Sequence, residues 1–145
     1  MPITINGSGT VTGITAGGLP DGVITTDDIA ANAVTYAKIG TTEQSRLCAA
    51  WVNFNGTSTV AIRASYNVSS ITDNGTGDYT VNFTTALADA NYSFGALCSS
   101  TSGANGYVAR INNSGHVTSS SLRVTIIDPG VSTADALFVG LLIFR

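Results

Sequence analysis

The sequence predicts a mainly β protein. An antiparallel β-sandwich or jelly-roll domain is expected over residues 49–145, behind a short α-helical stalk over 24–48 and an extended N-terminal arm over 1–23. Three observations predict it. Short runs of alternating apolar and polar residues recur from residue 50 to the end, punctuated by Gly, Asn and Asp. Charged residues make up 10% of the chain, far below the usual ~25%, and Thr, Ser, Asn and Gly stand in their place. Between 24 and 48 the alternation gives way to cap residues followed by narrow apolar stripes.

The stretch Ala50–Phe83 carries the clearest strands. Val52 and Phe54 alternate with Trp51, Asn53 and Asn55, and Tyr79, Val81 and Phe83 with Thr80, Asn82 and Thr84. Val60, Ile62, Ala64, Tyr66 and Val68 alternate with Ala61, Arg63, Ser65 and Asn67. Period-two alternation places one set on a packed face and the other toward water. Asn55-Gly56 and the segment Asp73–Asp78 fall between the runs and supply the residues hairpin turns require. Further strands are expected at Tyr92–Leu97, Tyr107–Ile111, Leu122–Ile127 and Leu137–Phe144, at the spacing of a sandwich or jelly-roll. The last is apolar on both faces, with Leu137, Val139, Leu141 and Ile143 against Phe138, Leu142 and Phe144. Such a strand is buried on both sides. Two readings stand: a central core strand, or a strand with one side on another subunit.

The arm before residue 24 places Ile3, Ile5, Val11 and Ile14 among Gly7, Gly9, Gly13, Gly17 and Gly18. So Gly-rich an extended segment is weak alone and needs something to lie against. In the stalk, Thr25 or Thr26 caps a turn opened by Asp27-Asp28, Thr35 caps a second piece that Gly40 ends, and Thr41–Leu47 offers a third. These pieces fall well below the ~12–15 residues at which isolated helices become marginal. Their apolar positions Ile24, Ile29, Val34, Ile39 and Leu47 are therefore expected to be covered by the same stripe on sister chains, in a threefold or twofold stalk.

The composition excludes several classes. The net charge is −3 with six Lys and Arg scattered, so there is no basic stripe to displace counterions from phosphates and no nucleic-acid partner is expected. No basic amphipathic helix suits a membrane surface, and the most apolar run, Ala136–Phe144, is too short to span a bilayer. The start Met-Pro-Ile-Thr-Ile-Asn lacks a basic n-region and apolar h-region, so synthesis and folding in a cytoplasm are expected. Cys48 and Cys98 make neither a disulfide framework nor a zinc site, and free buried thiols are expected.

Two segments carry a resemblance. Gly22–Gly40, GVITTDDIAANAVTYAKIG, looks like the linker helices of bacteriophage tail-fibre proteins. Ala50–Thr57, continuing through Ile62–Val68 to Gly77–Phe83, is similar to a domain at the ends of small phage fibre proteins. Together they cover about half the chain; from Ser99 onward no pattern matches, as for variable tip loops. The resemblance implies a homotrimeric virion fibre, attached to other virion proteins through its arm, whose distal β-domain touches a host-surface glycan. Head or neck fibres and capsid decoration proteins share such modules, so a chain that stabilises or projects from a capsid is the alternative.

The candidate sites in the sequence have plainer roles. Ser114, His116 and Asp128 could be drawn as a triad, but the first two lie two apart in a Gly-rich loop without a nucleophile elbow. Asp73–Asp78 suggests a calcium loop, but Thr84 stands where a bidentate Glu belongs, and a hairpin turn is the expectation. No acid pair for glycoside cleavage stands out. Trp51 is expected to pack under the sheet rather than stack on a sugar. For a glycan-binding tip, Tyr107, Arg110, Asn112, Asn113 and His116 are the candidate positions, beside two polar loops. A non-enzymatic protein without metal or cofactor is the expectation.

Overall fold

The computed structural model describes residues 24–25, 27, 29–44, 46–99, 106–111 and 114–145. The arm over 1–23 and the candidates Thr26, Asn112 and Asn113 lie outside the described residues. The chain divides into two compact units, Met1–Ile39 and Gly40–Arg145. In the stretch read as a stalk, the described helical structure is a 3-10 turn at Tyr36–Lys38 and a single α-turn, α1, at Thr41–Gln44. Thr35 and Gly40 flank the first turn, the Lys38 N–H donating to the Thr35 carbonyl at 2.9 Å.

Among the described residues the second unit holds eight strands: β1 Cys48–Asn55, β2 Ala61–Tyr66, β3 Val68–Gly75, β4 Asp78–Phe83, β5 Ser93–Cys98, β6 Val108–Arg110, β7 Ser121–Ile127 and β8 Val139–Phe144. They form two antiparallel four-stranded sheets, ordered β2-β1-β8-β5 and β3-β4-β7-β6. The hairpin β1–β2 lies in the first sheet and β3–β4 in the second. β5 returns to the first sheet, β6 and β7 pair in the second, and β8 closes between β1 and β5. The sandwich expected from the spacing of strands and turns is therefore present.

The inward sets are those the alternation marks. Val52, Phe54, Val139, Leu141 and Ile143 face inward from the first sheet; Tyr79, Val81, Leu122, Val124 and Ile126 do so from the second. Phe54 and Tyr79 meet edge to face across the gap, centroids 5.2 Å apart, a geometry worth about 0.5–1.5 kcal/mol beyond the area buried.

The run Val60–Val68 is not one strand. A bulge against Asn53/Phe54 shifts the register at Arg63, so Ile62 leans on the core while Ala64 and Tyr66 face out. The chain then leaves the first sheet at Asn67, whose φ is 55°, and Val68 opens β3 in the second. The Asn67 amide fastens this corner. Its Nδ2 donates to the carbonyls of Ala49 (3.2 Å) and Thr85 (3.1 Å), and its Oδ1 accepts the Thr85 N–H at 2.8 Å.

The opposite end is closed by the segment before β8. Gly56 donates its N–H to the Ala136 carbonyl (2.9 Å), and the Gly77 N–H donates to Asp135 Oδ1 (2.8 Å). Gly56 is required here, since a Cβ would stand 2.8 Å from the Tyr79 hydroxyl. Asp73–Asp78 forms a hairpin turn, with Gly75 and Gly77 at φ 127° and 67° and Asp73 Oδ1 accepting the Gly75 N–H.

Candidate functional site: the outward side of the first sheet

With Val52 and Phe54 inside, Trp51 and Asn53 must face out. With Val139, Leu141 and Ile143 inside, Gly140, Leu142 and Phe144 face out. Phe94, Ala96 and Cys98 lean on the core, which turns Ser93, Gly95 and Leu97 outward. Strand register aligns these residues in two rows across the sheet, Tyr66–Trp51–Leu142–Gly95 and Ala64–Asn53–Gly140–Leu97. None of them carries a charge.

Large apolar side chains on this side stay open to solvent. Leu97 is 79% exposed, Tyr66 58% and Leu142 47%, with Phe138 and Phe144 also exposed. Beside Leu97 and Leu142 lies a hollow of about 400 Å³, lined also by Trp51, Asn53, Gly95 and Gly140 among others. At its margin Arg63 is pinned. Nη2 donates to the Leu137 carbonyl (2.8 Å), Nη1 to Asn53 Oδ1 (3.3 Å), and the guanidinium lies 4.2 Å above the Phe138 ring centroid.

The outward side of the second sheet is mostly polar, with many of its side chains bonded to one another, although Val108 of β6 stands exposed on it. Asn74 Nδ2 donates to Thr80 Oγ1 (2.9 Å), and Asn82 Nδ2 to Ser70 Oγ (3.1 Å) and Thr72 Oγ1 (3.0 Å). Arg123 holds Asp78 through two hydrogen bonds of 2.8 and 2.6 Å, which keep the Asp78 carboxyl below its ordinary value. One side suits water and the other suits apolar matter.

Trp51 corrects its sequence reading: it lies outside the sheet, half-buried at the hollow, because its parity is that of Asn53 and not of Val52. Of the glycan candidates, Tyr107 is half-buried against the core, Arg110 is exposed and paired with Thr125 in β6–β7, and His116 ends a 3-10 turn at Ser114–His116. Of the stalk positions, Ile24, Ile29, Val34 and Leu47 are exposed and Ile39 is half-buried. Asp128 Oδ1 accepts the Ser132 N–H in a turn. Among the described residues no group of three or more His, Cys, Asp or Glu could hold a metal. Cys48 and Cys98 are free and half-buried rather than fully buried, and burial pushes the Cys98 thiol up.

Sequence reasoning singled out β8 as apolar on both faces, and the structure assigns the second face to this open side. It passed over Gly95, Gly140 and Leu97. Their signal was a glycine inside each of two apolar strand runs, Phe94–Leu97 and Val139–Leu142. Comparison with known proteins finds no family model, no curated protein and no solved structure that matches the chain.

Proposed function

We propose that this chain is a non-enzymatic structural subunit of a bacteriophage virion, a homotrimeric tail fibre. Residues 1–48 serve as attachment and stalk segments, and 49–145 as the β-domain that adheres to host-surface glycan. The observation that supports this best is the contrast between the two sheet faces. An apolar outward side on one sheet and a mostly polar, hydrogen-bonded side on the other suit copies that gather their first sheets around a common axis and present the second to water. The exposed Ile24, Ile29 and Val34 add a second set of apolar positions for sister chains to cover. Repetition then makes weak glycan contacts effective through avidity.

Sedimentation of the full chain at micromolar concentration tests the assembly. A mass three times the 14.8 kDa of one chain is expected; a folded monomer overturns the reading. Gold-labelled antibody on intact particles tests the location. Label on the tail supports the fibre, whereas label at capsid threefold axes selects the decoration protein instead. Glycan-array binding unchanged by shortening the loops around β6 would remove the adhesive role.

A further inference from the structure

We propose that Leu97 of one copy seats in the hollow floored by Gly95 and Gly140 on a second copy of this chain. The inference rests on the self-associating reading above and makes it specific.

The two glycines carry the argument. Glycine inside a strand weakens it, and it is found where the chain bends or where another molecule approaches the backbone. Neither residue has the left-handed φ that Gly75 and Gly77 have. A Cβ at Gly95 would meet nothing within 4 Å, and one at Gly140 would meet only the Leu97 carbonyl oxygen at 3.8 Å. Within one chain, neither backbone conformation nor space for a Cβ requires glycine at either position. The bare floor has its reason outside the chain.

The occupant follows from the surroundings. Leu97 stands at the rim, directly opposite Gly140 in the β5–β8 register, and at 79% exposure it leaves the hollow of its own chain open. It is a projecting aliphatic side chain beside an apolar recess. Around a threefold axis each copy therefore offers its knob to the hole of the next. Each copy bears a net charge of −3, and identical copies meet with least opposition over rows that carry no charge. Tyr66, Leu97, Phe138, Leu142 and Phe144 together expose roughly 500 Å² of side chain. That is more than half of the ~800 Å² each partner contributes to a standard interface.

The test uses the full chain with Gly95→Val and Leu97→Ala. Both are expected to raise the dissociation constant of the assembly at least tenfold. At a dilution where every protein is monomeric, Gly95→Val is expected to melt at or above the wild-type temperature. If wild type assembles and both variants assemble equally well, the seating of Leu97 is wrong while the self-associating reading stands. If wild type is monomeric, both fail. Should Gly95→Val not fold, benzoylphenylalanine at position 97 gives an independent readout. Photocrosslinks between chains at Trp51 or Leu142 support the seating; crosslinks elsewhere overturn it. Native mass spectrometry showing a small apolar ligand retained in a monomer would also overturn it.

Discussion

The Tyr79 hydroxyl stands 2.8 Å from Asp135 Oδ1 and 2.6 Å from the Gly56 carbonyl oxygen, so one buried proton serves two acceptors from two different loops. The same Asp135 oxygen accepts the Gly77 N–H. Removing the hydroxyl leaves buried acceptors short of a donor at the point where these loops meet. Tyr79→Phe is expected to cost about 1–3 kcal/mol, read from the urea midpoint at an unchanged slope.

Alkali should act through the same side chains. Burial, reinforced by Asp135, pushes the Tyr79 hydroxyl well above the ordinary tyrosine value, and burial pushes Tyr92 up to about 12. The Tyr92 hydroxyl lies 3.1 Å from the Ser121 carbonyl. Above pH ~10 the unfolded chain releases protons that the folded chain keeps, so stability falls as pH rises. A series of melts from pH 8 to 12 should show this decline in wild type. It should be shallower in Tyr92→Phe.

Acid works on the opposite sign at Asp78. The hydrogen-bonded Arg123 guanidinium keeps its folded value below the ordinary 3.8. Its contribution is complete above about pH 5 and is lost as pH falls through the folded value. The gap in melting temperature between wild type and Asp78→Asn should close between pH 6 and pH 2. A gap that stays constant over this range would show that the pair does not stabilise through charge.

At the corner between the sheets, Asn67 combines a left-handed backbone with three side-chain hydrogen bonds. Alanine loses both advantages, whereas glycine keeps the backbone freedom. Asn67→Ala is therefore expected to destabilise more than Asn67→Gly, by about 1–2 kcal/mol. Equal losses in chemical denaturation would mean that the backbone conformation costs nothing there.

Much of this architecture was legible because strand parity is a local property. Val52 and Phe54, and Tyr79, Val81 and Phe83, show their buried face without reference to anything distant. The same parity places Trp51 outside; its size argued for burial, and alternation overrode it. The division of Val60–Val68 was hidden because the bulge at Arg63 depends on how β2 pairs with β1, and a left-handed Asn67 reads like any other polar residue in an alternating run. β3 was obscure for a related reason: in VSSITDNG only Val68 is fully buried. The outward hollow was half-legible. Doubly apolar β8 left two readings, a central core strand or one side on another subunit, and the meaning of Gly95 and Gly140 depends on their placement over neighbouring strands.

The two rows across the outer side of the first sheet bear no charge, and this fixes how any contact made there answers to its medium. Added salt has no ion pair to screen in those rows, so ionic strength is a weak lever. Temperature is a strong one, because the drive to cover apolar surface fades on cooling. An assembly closed over that face loosens in the cold room and tolerates brine.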